Sequence, residues 1–348
     1  MSDMASIKDK IYKYGVVPVV IVEKEEQAAP LANALVKGEL EIAEVTFRTD
    51  CAAAAIAAML KAQPDMLVGA GTVLAQDQID AAMKAGAQFI VTPGLDENLV
   101  KYCQEKNILI IPGCSTASDV QKAASLGLDT VKFFPAEANG GIKTVQALAA
   151  VYKNMNFLPT GGITPDKFSP YLRDPAVIAV GTSWIAPKKL MDSNDFAAIA
   201  KRARDAMFAV NNFAFCHMGI NCDTQKEGYS NIFKLAEMFN MPIGDTGSSS
   251  YVGREVEITK QPFKVRGPHG HFGYYTDNLD RAIFYLEKRG IPLDHANTKP
   301  FRGTGQTYVI YLKDQLAGFA IHLEERNDHN PPRWETVEEV KERIDWKD

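Results

Sequence analysis

Residues 130–137 read Thr130-Val-Lys-Phe-Phe-Pro-Ala-Glu137, a short β-branched and aromatic run with one lysine inside it. Apolar residues follow one another there without polar alternation, as in a parallel strand covered on both faces. Similar runs stand on either side: Val16 to Val22, Glu41 to Phe47, Met66 to Ala70, Gln88 to Thr92, Ile108 to Pro112, Asn156 to Thr160 and Val177 to Gly181. Ala-rich helical stretches such as Cys51 to Ala62 and Gln76 to Ala85 separate them. Strands at steps of about 20 to 27 residues, eight in all, alternating with helices, predict an α/β chain whose residues 1–210 form a (β/α)8 TIM barrel.

In such barrels the active site lies at the C-terminal ends of the strands. Lys132 falls within the sixth strand, where desolvation disfavours the ammonium form and leaves an amine able to attack a ketone as a Schiff-base nucleophile. The alternative is a structural lysine, paired with Glu44 or Glu137 or reaching the rim with its head group. Glu44 and Arg48 end the second strand. A carboxylate beside an iminium relays protons, and a guanidinium fork binds the carboxylate of a keto acid; for both residues a plain salt bridge is the competing reading. Gly161-Gly162 and Gly181-Thr-Ser183 follow the seventh and eighth strands, the corner where barrels bind phosphate through backbone N–H groups. A phosphorylated keto acid is the small-molecule substrate this set suggests.

Composition narrows the classes further. The 348 residues carry a net charge of −5 with 46% hydrophobic residues, ordinary for a globular protein, and no Lys/Arg run exceeds two, which argues against nucleic acid. Apolar runs fall short of the roughly 20 residues that span a bilayer, and an N-terminal signal pattern is lacking, so a cytoplasmic protein without membrane contact is expected. The five cysteines are scattered without a CxxC pair, so they are expected to be reduced and mostly buried. All six histidines lie after residue 216. The barrel therefore has no His base and no His-ligated metal.

The strand-end motifs VVPVVIV, EVTFRT, GAGTVL, FIVTPGLDENL, IPGCSTASDV, VKFFPAEANGG, PTGGITP and GTSW, in this order, closely resemble those of the 2-keto-3-deoxy-6-phosphogluconate (KDPG) / 4-hydroxy-2-oxoglutarate aldolases. The resemblance implies a class I aldolase, a lyase that needs no cofactor, with Lys132 as Schiff-base residue and Glu44 as proton acceptor and donor. It implies that Arg48 and Thr72 hold the pyruvate carboxylate and that Pro93 and Phe134 line the site. Gly161, Gly162 and Ser183 would bind the distal phosphate, and Thr160 would govern substrate stereochemistry. It also implies cleavage of KDPG to pyruvate and glyceraldehyde 3-phosphate, of 4-hydroxy-2-oxoglutarate to pyruvate and glyoxylate, and a homotrimer. A metal-dependent pyruvate aldolase with carboxylate ligands is the alternative chemistry.

After Asn211-Asn212 the composition shifts to aromatics, His and charge, which sets a second, smaller α+β domain at 213–330. Two similar units run through it, Ala214 to Asn221 with a helix Tyr229 to Phe239, and Gly270 to Thr276 with a helix Leu279 to Arg289. The phrase GHFGYYTDNLDRAIFYLEKRG and the strand Gly318 to Glu324 resemble the vicinal oxygen chelate (glyoxalase-like) fold of paired βαβββ modules. That resemblance implies a divalent metal, Zn, Ni, Mn or Fe, on His217, Glu257, His271 and His322; the alternative is a metal-free structural or interaction module. His322 stands where many of those proteins have Glu, with Glu324 on the same strand face. Cys216 is expected to point to the opposite face as core, and His269, His295 and His329 to lie in loops. Trp334, Val337, Val340 and Ile344 predict an amphipathic C-terminal helix over 331–348 that docks on a neighbouring domain.

Overall fold

The computed structural model describes residues 4–245, 249–260, 267–300, 307–326 and 334–347; His329 lies outside them. The chain divides into two units, Met1–Asn211 and Asn212–Asp348.

In the first unit the strands are β1 (Val16–Val20), β2 (Ile42–Thr46), β3 (Leu67–Gly71), β4 (Ile90–Val91), β5 (Ile110–Ile111), β6 (Gly113–Cys114), β7 (Thr130–Phe133), β8 (Asn156–Pro159) and β9 (Val180–Thr182). All pair in parallel, β5-β4-β3-β2-β1-β9 on one side and β6-β7-β8 on the other. Bridges Phe157↔Val177 and Thr160↔Gly181 join β8 to the β9 segment and close the barrel. The expected eight strands are present with two local departures. Pro112 has no N–H to donate, so the fifth strand splits into β5 and β6 around it. The eighth strand starts at Val180 instead of Val177, which keeps only a single bridge.

Strands of consecutive Val, Ile and Leu are buried on both faces, and the helices cover them with a stripe of small and branched residues. The helix Ala28–Lys37 buries Ala28, Leu31, Ala32 and Leu35, spaced by three and four residues on one face. Each fully buried Val, Leu or Ile contributes about 1.5–3 kcal/mol.

The second unit carries one nine-stranded sheet ordered β15-β16-β17-β14-β10-β13-β12-β11-β18. Its strands are β10 (Ala214–Ile220), β11 (Ile243–Asp245), β12 (Ser249–Val252), β13 (Val256–Thr259), β14 (Gly270–Thr276), β15 (Leu293–Pro300), β16 (Thr307–Leu316), β17 (Phe319–Glu325) and β18 (Trp334–Glu335). Two βαβββ modules follow one pattern: the first strand lies parallel to its own fourth, β10 to β13 and β14 to β17. The two first strands then pair antiparallel at the centre of the sheet.

The module helices start at good caps. Thr224 accepts a hydrogen bond from Glu227 N–H ahead of Gln225–Phe239, and Asn278 accepts one from Arg281 N–H ahead of Leu279–Lys288. Tyr229, Ile232, Phe233 and Ala236 of the first helix form one core with Ile243, Val252, Ile258, Val337 and Val340. The C-terminal helix is shorter than its periodicity suggested, Val337–Arg343, and it docks within this unit on that core. Trp334 departs from the helix altogether, because it pairs with Gly244 as a strand residue.

Candidate active site and candidate metal centre

In the barrel, Lys132 and Glu44 meet. Lys132 Nζ donates to Glu44 Oε1 at 3.0 Å, with the lysine 5% and the glutamate 0% exposed. The ion pair anticipated as the alternative reading of Lys132 is therefore present, with Glu44 as partner; Glu137 instead pairs with Lys167 at 2.5 Å. A hydrogen bond between an amine and a carboxylate is also what an activated nucleophile with its base requires. Glu44 Oε2 is buried and accepts no hydrogen bond from the described residues. The Phe134 ring lies 5.5 Å from Lys132 Nζ, within cation–π reach.

Glycine makes room for this pair. A Cβ on Gly71 would lie 2.1 Å from Glu44 Oε1. The next residue, Thr72, has φ +55°, a left-handed conformation that a β-branched side chain rarely takes and that costs on the order of 1–2 kcal/mol. Arg48 is exposed in the turn after β2, and that turn is pinned to the end of β1: Thr46 Oγ1 donates to Val20 O at 3.1 Å, Thr49 Oγ1 to Val22 O at 2.7 Å, and Cys51 Sγ to the same carbonyl at 3.2 Å. Sequence reasoning named Arg48 and Thr72 but missed Gly71, Thr49 and Cys51. GAGTVL carried the signal, a glycine just before a strand-end threonine.

Around the rim, Pro93 is half-buried and its carbonyl oxygen would be 2.1 Å from a Cβ at Gly113, the residue that pairs with Lys132 across β6 and β7. Thr160 is buried, and a Cβ on Gly181 would strike its Oγ1 at 2.2 Å. Gly161 and Gly162 have φ +110° and +77°, so this loop needs glycine at both positions. Ser183 is exposed just past β9.

In the second unit His217, His271 and His322, all buried, form a near-equilateral group with ring centroids 5.0–5.1 Å apart. One ring nitrogen from each lies within 4.8 Å of the others. His217 Nε2 lies 3.0 Å from His271 Nε2, and Glu257 Oε2 lies 3.2 and 3.1 Å from these same nitrogens. The four residues singled out in the sequence thus come together. Burial would raise the Glu257 carboxyl, but hydrogen bonds from His217 and His271 outweigh it and hold the group well below the usual carboxylate range.

Each imidazole stands opposite a glycine. His217 and His322 both pair with Gly273, and His271 pairs with Gly219. A Cβ at Gly273 would lie 2.7 Å from His217 Cε1 and His322 Nε2, and one at Gly219 would lie 2.1 Å from His271 Cε1. These glycines were overlooked in the sequence.

Cys216 is a correction: it is buried, but it does not face away from the histidines. The ladder between β10 and β14 slips between Phe215 and His217, and this bulge turns consecutive residues toward one side. Cys216 Sγ lies 2.9 Å from His217 Nδ1 and donates to Glu324 Oε1 at 2.7 Å; burial and the Glu324 charge push the thiol pKa far up. His269 is exposed in the bend before β14, as expected, but His295 is a correction: it lies within β15 and not in a loop, exposed and bonded to Glu287 Oε1 at 2.7 Å.

Residues 7–202 match the model of the aldolase family described as KDPG and KHG aldolase. The KHG/KDPG aldolase of Escherichia coli (strain K12) is 46% identical over 192 residues, which is 55% of this chain and 90% of that protein. The 2-dehydro-3-deoxy-phosphogluconate aldolase of Dickeya dadantii is 44% identical over the same length and shares. Among solved structures, the KDPG aldolase of Zymomonas mobilis ZM4 with 3-phosphoglycerate is similar with a TM-score of 0.55 and 41% identity, over 59% of this chain and 96% of that one. The KDPG aldolase of Legionella pneumophila, with pyruvate captured as a covalent carbinolamine, gives 0.55 and 34% over 57% and 97%.

Proposed function

This chain belongs to the KDPG and KHG aldolase family, a class I aldolase among lyases, and from that premise we propose how its barrel residues divide the work. The observation that carries the reading is the buried Lys132–Glu44 pair at 3.0 Å. Transfer of the lysine proton to Glu44 frees the amine, which attacks C2 of KDPG. Glu44 then gives the proton to the carbinolamine hydroxyl, water leaves, and an iminium remains. The C3–C4 bond breaks as Glu44, again a carboxylate, or a bound water takes the C4 hydroxyl proton, with the electron pair of the C3–C4 bond drawn into the iminium. Glyceraldehyde 3-phosphate departs, the enamine is protonated at C3, and hydrolysis releases pyruvate and Lys132. Arg48 and Thr72 hold the pyruvyl carboxylate, Pro93 and Phe134 wall the site, Thr160 sets stereochemistry, and Gly161, Gly162 and Ser183 receive the phosphate. The same pyruvyl end admits 4-hydroxy-2-oxoglutarate.

Lys132→Ala tests this. Cleavage of both substrates is expected to fall to background with the fold retained by circular dichroism, whereas turnover near the parent rate would overturn the assignment. No step uses a metal, so EDTA leaves the rate unchanged.

For the second unit we propose a vicinal oxygen chelate module that holds one divalent metal through His217, Glu257, His271 and His322. The donor chemistry fits, since imidazoles and a carboxylate suit Zn, Ni, Fe or Mn. The spacing fits as well: two ligands each about 2.1 Å from one metal lie roughly 3.0 to 3.4 Å apart between octahedral and tetrahedral angles, close to the 3.0–3.2 Å among Nε2 of His217, Nε2 of His271 and Oε2 of Glu257, with a His322 ring nitrogen within 4.8 Å of the other two imidazoles. A metal there would act as a Lewis acid on a chelating oxygen ligand. After exposure to each metal and desalting, one bound equivalent per full-length chain is expected, lost in Gly273→Ala; a stoichiometry near zero would leave a metal-free module. A cytoplasmic homotrimer is our reading of the assembly, and a light-scattering mass of one or two chains would reject it.

A further inference from the structure

The loop Gly161-Gly162 is held by a neighbour to which no role in the reaction has been assigned. Two backbone bonds join the segment after β7 to it: Ala136 N–H donates to Thr160 O at 2.8 Å, and Glu137 N–H donates to Gly161 O at 3.1 Å. The stem of Glu137 lies over Gly162, where an added Cβ would stand 3.0 Å from both Glu137 Cβ and Cγ. Its carboxylate is then tied beyond the loop. Tyr171 Oη donates to Glu137 Oε1 at 2.6 Å and Lys167 Nζ to Oε2 at 2.5 Å. Tyr171 is 2% exposed in the helix Phe168–Leu172, so its hydroxyl is a fixed post. Lys167 closes the turn Pro165–Lys167 that follows the loop. The bonds from these two donors hold the Glu137 carboxyl below its ordinary range, in agreement with a carboxylate that works ionised.

From this geometry we propose that Glu137 is a positioning residue, a brace that fixes the Gly161-Gly162 loop and thereby sets preference for substrates bearing a distal phosphate. The inference rests on the reading above that this loop receives the phosphate. A loop with two positive-φ glycines has many alternative conformations, and only external ties select the one that presents its N–H groups to an anion. Displacement of about an ångström is enough to lose much of the benefit of oriented binding. The unphosphorylated 4-hydroxy-2-oxoglutarate does not call on this loop, so the ratio of the two activities reports the brace.

The test is steady-state kinetics of the full-length enzyme with both substrates, for Glu137→Gln, Lys167→Met, the double variant and Gly162→Ala. In Glu137→Gln we expect KM for KDPG to rise on the order of tenfold, with a much smaller change in kcat, and the KDPG to 4-hydroxy-2-oxoglutarate selectivity to fall by a similar factor. Lys167→Met, on a half-buried side chain, should show the same split in weaker form, and the double variant should lose no more than Glu137→Gln alone, as partners in one interaction do. If Gly162→Ala lowers selectivity while Glu137→Gln and Lys167→Met leave it at the parent value, the brace is overturned and the phosphate loop stands. If Gly162→Ala lowers both substrates equally, the loop reading fails and the brace with it. Equal loss on both substrates in Glu137→Gln also overturns the proposal, since it marks a general structural role.

Discussion

At Gly71 a hydrogen atom in place of a side chain decides whether Glu44 can lie beside Lys132. A methyl group there would sit 2.1 Å from Glu44 Oε1, with backbone in the β3 ladder behind it, so the carboxylate and not the glycine would have to move. Gly71→Ala should therefore cut kcat at least a hundredfold, an effect of about 2.7 kcal/mol or more on the barrier, with a smaller loss of stability. A stopped assay of purified, folded variant checks this, and activity within a few fold of the parent would show that Glu44 has another resting place. Lys132, Glu44 and the Gly161-Gly162 loop were legible in the sequence because polar residues and glycines at the ends of apolar strands stand out. Gly71 stood out less, since its importance lies in the space that Glu44 needs on the adjacent strand, a pairing that GAGTVL alone does not specify.

Among the elements, those with strong local signals came through best. The alternating strands and Ala-rich helices of the barrel are written in their periodicity, and the βαβββ pattern in its repeated strand–helix phrases. Breaks set by long-range pairing were not: the Trp334 strand residue and the bulge that turns Cys216 toward His217 depend on which strand lies alongside. The helix Ala117–Ser125 offers a local test. Thr116 Oγ1 accepts from Asp119 N–H, and Asp119 Oδ2 accepts from the Thr116 and Ser115 N–H groups in a capping box. Burial would raise the Asp119 carboxyl, but these bonds prevail and lower it. A depressed folded-state pKa adds stability above the unfolded value near 3.9 and loses it as pH falls through the folded value. Thr116→Ala should cost about 1 kcal/mol at neutral pH. Asp119→Asn should narrow its gap to the parent as denaturation curves are taken from pH 6 toward pH 3; a gap that stays constant or widens would contradict the assignment.

For the molecule as a whole, two units of different chemistry share one chain, a barrel without histidine up to Asn211 and a sheet whose three central imidazoles cluster beyond it. Among the described residues no helix is long and apolar enough to cross a membrane. In the mechanism proposed above, the barrel's reaction rests on one covalent bond, from Lys132 Nζ to C2 of a pyruvyl group. The most direct test is to incubate the full-length protein with pyruvate, reduce with borohydride, digest and sequence the products by mass spectrometry. The account predicts a single reduced pyruvyl adduct, placed on Lys132, that is absent in Lys132→Ala and unaffected by EDTA. An adduct on any other lysine, or none while KDPG cleavage proceeds, would contradict it.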